Sequence, residues 1–501
     1  MESPDQKTNI SSSDAGSVME AAIDIDIEAE KSYVRKLDFY LMPLLCFMYF
    51  VDCMDRANLG NAKTDGLDKD IKLTGNQYSL LILLFYIPFG LFDLPWTILI
   101  KRYSGRLMLD DFLGYFSPLP GCCQRLWRDA LHPYNPRVRP NSSNKKYTNS
   151  QWLRIFEAGF FAGSAFYFTL FYARGEMGFR LAILQSFAVL ASAFSGLISY
   201  GVFQIGHPQI KGWQWLFLVE GALTFITGIF GLFWLPDGPQ SAWFLSDREK
   251  AAARSRLLRD TSAKLETKLN FKAAFQTWKD WKFPIWCIAT FSYPVAYATS
   301  MNFFPMIVQR LGYSVVKTNL WTVAPNMVGS VILLAVAYSS DHFRERSFHT
   351  VFALVLSGIG MVVLATIDVE ANKGVAYFAC FLMAAGAYIP SALVHAWHNN
   401  NNMDENSRAA NTGFFVGIGN LAGVISAATF RTEYAPKYIP TLVATCCCNA
   451  AAILSIGFLG IWMRMENRKR DREQGVRIKA GDVDTSELID GEKSPEWRYF
   501  L

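Results

Sequence analysis

Three long stretches of this sequence contain no Asp, Glu, Lys or Arg: residues 181–203, 318–340 and 438–463. Core helices of soluble proteins rarely lack charge over such a length, whereas a bilayer span needs about 20 mostly apolar residues. The absence of charge therefore argues against a soluble fold for most of this 501-residue chain, of which 51% is hydrophobic. We predict an all-α polytopic membrane protein embedded in a lipid bilayer.

Catalytic and cofactor-binding motifs are also missing. The sequence has no phosphate-binding glycine loop, no nucleophile triad and no zinc-ligand spacing, which argues against an ATP-driven pump or a membrane enzyme. Seven of the nine cysteines lie in apolar runs, where a thiol behaves as a small hydrophobe. We therefore predict no enzyme activity, no catalytic residue, no disulfide framework, no cofactor, no metal site and no nucleic-acid partner.

Eleven apolar runs are long enough to cross a bilayer. They cover about residues 37–56, 77–100, 152–173, 181–203, 213–235, 283–305, 318–340, 349–367, 375–397, 409–430 and 438–463. Between the fifth and sixth runs, residues 237–282 hold ten Lys and Arg against six Asp and Glu. Because basic loops favour the cytoplasm, we predict a cytosolic linker there, between an N-terminal bundle (33–236) and a C-terminal bundle (283–463).

The two ends of the chain are predicted to be cytosolic tails. Residues 1–32 are acidic and Ser-rich without an apolar core, which is typical of a disordered segment rather than a signal peptide. Residues 464–501 open with a cluster of Arg and Lys, which places them on the same side as the linker.

Residues 107–150 depart from the pattern. Basic residues lie on both sides of this stretch and favour the cytoplasm, so one more crossing is needed between them. The candidate for that crossing, residues 107–127, contains Asp110, Asp111 and Arg125. Each mid-helix charge opposes insertion by roughly 2.5–3.5 kcal/mol. We therefore expect a third helix that is degenerate or replaced. The open alternative is a mistranslated stretch, such as a retained intron or a frame-shifted exon, which would make the chain an inactive gene product.

Several motifs resemble one branch of a transporter family. Twelve crossings in two bundles of six, joined by a basic loop, are typical of the major facilitator type. Residues 55–62, Asp-Arg-Ala-Asn-Leu-Gly-Asn-Ala, resemble the signature of the allantoate permease branch of the fungal anion:cation symporters. The similarity covers roughly residues 33–106 and 151–472. It implies a major facilitator fold, with two six-helix bundles and both termini in the cytoplasm.

The resemblance also implies a function. The implied function is proton-coupled uptake of a small organic anion, such as nicotinate, pantothenate, biotin or allantoate, by alternating access. We expect the protein to be a monomer in the plasma membrane. The residues do not select among these carboxylates. A non-transporting nutrient sensor with the same fold is the alternative, and the atypical residues 107–150 are the one feature that favours it.

Polar side chains within the spans are few, which limits the candidate site. An anionic substrate needs a cation and polar partners in a cavity between the bundles. We predict substrate contacts from Arg154, Tyr293, Tyr297, Asn302 and His395. For the aromatic residues and the histidine, ordinary packing in the core is the competing interpretation.

Proton coupling needs a titratable group in the same region. We predict it at Asp52, Asp55, Arg56 and Glu157. Asp52 and Arg56 are four residues apart and share one helix face, although they could also anchor the helix end at the membrane surface. Glu157 could pair structurally with Arg154, three residues before it. We interpret Glu220 as structural.

A short charged loop follows the eighth span. Asp341, Arg344 and Arg346 stand where this superfamily repeats the charged loop of its first half. We predict that they form a latch that gates the conformational exchange, with a merely solvated loop as the alternative.

Overall fold

The computed structural model describes residues 26–64, 67–70, 83, 86–87, 90–95, 97–98, 160–173, 176–205, 211–260, 271–312, 315–402, 404–434, 437–480, 483, 492 and 494–501. The described residues form helices and connecting turns, without a β-strand among them. The helices are α1 (Ile27–Tyr40), α2 (Met42–Thr64), α3 (Leu67–Asp70), α4 (Phe160–Phe171), α5 (Met177–Val202), α6 (Gly212–Trp234), α7 (Asp247–Asp260), α8 (Phe271–Ala274), α9 (Lys282–Gln309), α10 (Val315–Phe343), α11 (Ser347–Thr366), α12 (Lys373–Ala387), α13 (Ile389–Asn400), α14 (Glu405–Thr429) and α15 (Ile439–Gln474). The described residues between 83 and 98 are also helical, and we call them segment 83–98.

Eight helical stretches of the described chain are long and apolar enough to cross a membrane. They begin at Ile27, Met177, Gly212, Leu320, Ser347, Lys373, Asn406 and Ile439. The run predicted at 283–305 forms α9, which is 28 residues long but less apolar than these eight because it carries hydroxyl side chains. Two of these side chains, Thr290 and Thr299, are fully buried, and their hydroxyls donate to carbonyls of the preceding helical turn.

Local sequence signals explain several helix ends. Asp26 caps α1 by accepting a hydrogen bond from the backbone N–H of Ala29 at 3.0 Å. Pro440 stands in the first turn of α15, where its missing N–H leaves no helical bond unmade. At the other end of α15, Gly475 adopts a φ of 68°, a left-handed conformation that glycine accepts at little cost.

The helices fall into two groups that meet along seams. In the first group, α2 lies against α5 and α6; in the second, α9 lies against α14 and α15, and α11 against α12 and α15. The broadest contact between the groups is α5 against α10, and α4 and segment 83–98 contact α14 on another seam. Close approach on the second seam depends on Gly417, because a Cβ there would clash with the carbonyl oxygen of Gly90.

The segment between the groups lies across one end of the helices, which we call the linker face. Glu249 on α7 accepts bonds from Ser32 at 2.7 Å and Lys36 at 2.8 Å, both on α1. On the second group, the Trp278 indole donates to Asn411 at 2.9 Å. The connecting segment is therefore fastened to both groups at the same end of the molecule.

Candidate functional site

A buried tyrosine–histidine pair lies where the two groups meet. The hydroxyl of Tyr293 on α9 is 3.0 Å from Nε2 of His395 on α13, and both side chains are almost fully buried. Phe161 of the first group places its ring edge-on to the His395 ring, with centroids 5.6 Å apart. The pair thus belongs to the second group but is covered by a side chain of the first.

A break in one membrane span presents His395 at this position. The span from Lys373 to Asn400 is interrupted at Tyr388, between α12 and α13, where Pro390 has no N–H to continue the helix. The Ser391 hydroxyl donates to the carbonyl of Tyr388 at 2.6 Å. Broken helices at membrane depth are tolerated where they are buried in protein or line a cavity.

Two further predicted substrate residues lie near the same interface. Asn302 on α9 donates through Nδ2 to the hydroxyl of Tyr86 in segment 83–98, so this hydrogen bond joins the two groups. Tyr297 packs edge-on against Tyr388, with ring centroids 5.5 Å apart. The Tyr388 hydroxyl in turn donates to Asn326 at 3.1 Å. The interface therefore carries a polar layer of tyrosines and amides around the Tyr293–His395 pair.

The acidic residues at the end of the first span have partners inside the first group. Asp55 accepts a hydrogen bond from the hydroxyl of Thr224 on α6 at 3.2 Å. The carboxyl group of Asp55 also interacts with that of Glu220, which lies one turn before Thr224 on α6. Asp52 is buried, with 5% of its surface exposed. The carboxyl groups of Asp55 and Glu220 thus lie together between α2 and α6, which places Glu220 beside one predicted coupling residue.

One acidic residue outside the predicted set lies on the seam between the groups. Asp93 of segment 83–98 is 1% exposed, and its Oδ2 accepts a hydrogen bond from Nδ2 of Asn420 on α14 at 2.7 Å. One turn further along, the Thr97 hydroxyl donates to the Asp93 carbonyl at 2.8 Å. A buried carboxylate of the first group is therefore bonded directly to the second.

The predicted latch joins the two groups at the linker face. Asp341, at the end of α10, lies 2.8 Å from Nη1 of Arg346, which is itself buried. The other oxygen of Asp341 accepts a bond from the backbone N–H of Phe179 at 2.7 Å, in the first turn of α5. The close approach of Arg346 to the first turn of α5 depends on Gly178, because a Cβ there would collide with the Arg346 guanidinium. Asp341 is thus a carboxylate shared between both groups.

The rest of the loop is held by its own contacts. Arg344 adopts a φ of 53°, an uncommon conformation for a residue with a side chain. Glu345 accepts from the backbone N–H of Phe348 at 2.8 Å and pairs with Arg464 of α15 at 2.9 Å. Burial alone would raise the pKa of Glu345, but these bonds and that of Ser347 outweigh it, and the pKa is lowered.

The last residues of the chain dock on the linker face of the second group. Asn467 of α15 accepts from the backbone N–H of Tyr499 at 2.9 Å and donates to its carbonyl at 2.8 Å. Asn401 makes the same pair of bonds with Phe500, at 2.9 Å and 3.0 Å. Trp497 is 1% exposed. Two asparagines thus hold this peptide by its backbone, close to the latch.

Part of the predicted site is beyond the described residues. Arg154, Glu157 and the side chain of Arg56 fall outside them, as does the atypical stretch 107–150. Within the part of the chain that the structure describes, no group of three or more His, Cys, Asp or Glu could hold a metal ion.

Comparison with known proteins gives a consistent result. A family model described as Major Facilitator Superfamily matches residues 153–427. The chain is 68% identical over 482 residues to the Major facilitator-type transporter hxnP of Emericella nidulans, which covers 96% of this chain and 95% of the relative. It is 44% identical over 465 residues to the MFS-type transporter efuF of Hormonema carpetanum, which covers 93% and 91%.

Solved structures give the same fold. The proton:xylose symporter XylE bound to 6-bromo-6-deoxy-D-glucose superposes with a TM-score of 0.65 at 13% identity, covering 86% of this chain and 96% of that one. The E. coli fucose:proton symporter FucP gives a TM-score of 0.55 at 12% identity, covering 84% and 98%. At these identities the likeness shows the fold alone.

Proposed function

Because the chain belongs to the major facilitator superfamily and is a secondary transporter, we propose that it takes up a small organic anion together with a proton. The cargo class is a carboxylate nutrient or vitamin, such as nicotinate, pantothenate or allantoate. The motif at residues 55–62 resembles the allantoate permease branch of the fungal anion:cation symporters, and this resemblance supports both an anionic substrate and proton coupling.

The polar layer between the two groups of helices is the observation that carries this proposal. A hydrogen-bonded Tyr293–His395 pair, with Phe161 of the other group against it, provides donors and aromatic surface where the groups would separate. Ligand sites of this kind are mostly apolar with a few fixed polar groups. We assign substrate contacts to Tyr293, Tyr297, Asn302 and His395, with the guanidinium of Arg154 meeting the carboxylate.

Proton coupling is assigned to the acidic residues in the first group. Asp52 and Asp55 lie on α2, and Asp55 interacts with Glu220, while Arg56 and Glu157 complete the set by sequence position. Two carboxylates at close range repel each other strongly at membrane depth, so such a cluster favours holding a proton.

The latch and the orientation complete the mechanism. Asp341 and Arg346 join the end of α10 to the start of α5 at the linker face, with Arg344 in the loop between them, and the proposed cycle breaks this contact as the bundles rock. The linker at 237–282 and both termini are placed in the cytoplasm, in a plasma-membrane monomer.

Radiolabelled uptake in cells expressing the chain tests this proposal. We expect carboxylate accumulation to be faster at acidic than at neutral external pH and to stop when a protonophore is added. Arg154→Ala should abolish uptake while the protein still reaches the membrane. Carboxylate binding without pH-dependent accumulation would contradict the transporter and favour a sensor.

A further inference from the structure

We propose that Asp93, through its hydrogen bond to Asn420, is the group whose protonation releases the seam between segment 83–98 and α14. This inference rests on the proposed proton coupling and adds to it a positioning residue and a site of proton binding. The observation behind it is the buried 2.7 Å bond between Oδ2 of Asp93 and Nδ2 of Asn420, which joins the two groups.

A coupling proton must act where the two conformations differ. For proton binding to favour one conformation, the protonated and deprotonated forms must make different contacts in the two conformations. Asp55 and Glu220 have the contacts described above within the first group, which moves as one body in the proposed rocking cycle. Asp93 differs because its partner is on the other body, so rocking the groups apart breaks its bond directly.

The chemistry of the pair shows how protonation of Asp93 affects the seam. A deprotonated Asp93 accepts the Asn420 N–H in a charge-assisted hydrogen bond, which is roughly twice as strong as a neutral one. Proton binding to a carboxylate oxygen forms an O–H bond, removes the charge and weakens this acceptor. The seam then separates more easily, and the proton leaves when Asp93 faces the opposite solution.

The two helices approach each other closely at this bond. A Cβ on Gly417 would meet the Gly90 carbonyl and a Cβ on Gly413 would meet Thr97. The Asp93–Asn420 bond therefore lies in a tightly packed contact, together with the Asn302–Tyr86 bond described above.

Among the described residues, the charged groups on the neighbouring helices α14 and α9 stand several turns from the pair along the chain. On α14 the charged residues are Glu405 and Arg408, at the linker-face end, and on α9 the charged residue is Lys282, at its first position. The other titratable side chains of α9 are Cys287, Tyr293 and Tyr297, and segment 83–98 itself also carries Tyr86. On α4, which also contacts α14, the titratable side chain is Tyr167. Arg154 and Glu157 precede α4 and lie outside the described residues.

Reconstituted protein in proteoliposomes tests the proposal with Asp93→Asn, which keeps the size and a hydrogen-bonding oxygen but cannot take a proton. In the wild type, one pH unit across the membrane drives up to about tenfold accumulation if one proton accompanies each anion. We expect Asp93→Asn to lose this accumulation and to keep counterflow exchange, which needs no net proton movement. Asp93→Glu should keep gradient-driven uptake with a shifted pH profile.

The controls separate the different ways in which the proposal could fail. Ser455→Ala changes a buried side chain on α15, away from this seam, without removing a titratable group, and should leave gradient-driven accumulation in place. If the wild type itself ignores the pH gradient, proton symport fails as a whole. If the wild type responds and Asp93→Asn responds equally, the assignment to Asp93 alone is overturned. Loss of exchange as well as accumulation in Asp93→Asn, with Asp93→Glu also inactive, would likewise overturn it by pointing to a structural role.

Discussion

The docked C-terminal peptide can be released by one substitution at a distance from the membrane. Asn467→Ala removes the two hydrogen bonds that Asn467 makes to the backbone of Tyr499, at 2.8 Å and 2.9 Å. A net hydrogen bond contributes about 0.5–1.5 kcal/mol, and a buried group left unpaired costs about 1–3 kcal/mol. We therefore expect docking to weaken by about 2–4 kcal/mol, which raises the undocked fraction roughly 30-fold or more.

Hydrogen–deuterium exchange of the peptide containing residues 494–501 measures this fraction, because local opening governs the exchange of its amides. Asn467→Ala should speed that exchange by about the same factor and leave the amides of α9 and α14 unchanged. Arg468→Ala is the matched control, since Arg468 is the next residue on α15 and is exposed to solvent. Equal exchange in Asn467→Ala and the wild type would refute the docking described for Tyr499.

Three other outcomes follow from the contacts. Tyr293→Phe removes the hydroxyl that meets His395, and should raise the substrate concentration for half-maximal uptake by about 2–12-fold with the maximum rate kept; a lowered maximum rate alone would contradict a substrate contact. Asp341→Asn leaves Arg346 buried without its carboxylate, so turnover should slow with little change in affinity, and an unchanged maximum rate would rule out the latch. Burial opposes ionisation of Glu249, but its hydrogen bonds outweigh burial and lower its pKa to about 2. The bonds from Glu249 to α1 should therefore persist above pH 4.5 and be lost as the pH falls towards 2. Hydrogen–deuterium exchange of the α7 amides that stays constant over that range would contradict this.

The fold was predictable because bilayer spans are readable from composition. The charge-free run 181–203 became α5 at Met177–Val202, and the run 438–463 became the apolar part of α15, Ile439–Gln474. The predicted all-α major facilitator fold is confirmed. Hydropathy did not show that α15 continues beyond the apolar run to Gln474, because that extension depends on contacts at the linker face. It also did not show that α12 and α13 are separated at Tyr388, because that break depends on contacts along the span.

The site was only partly predictable, because its bonds join residues far apart in the chain. Tyr293 and His395 were both candidates, yet nothing in their spacing shows that they bond across 102 positions. Asp93 and Asn420 are 327 positions apart, and in the sequence Asp93 is a lone acid near a helix end. The docked tail had one sequence signal, the aromatic run Trp497, Tyr499 and Phe500 after a polar stretch.

Substrate-driven proton movement tests the central claim most directly. Proteoliposomes containing the purified chain, with a pH-sensitive dye inside and no starting gradient, should acidify internally when a transported carboxylate is added outside, and the signal should vanish with a protonophore. Carboxylate entry without internal acidification would contradict proton-coupled transport by this protein.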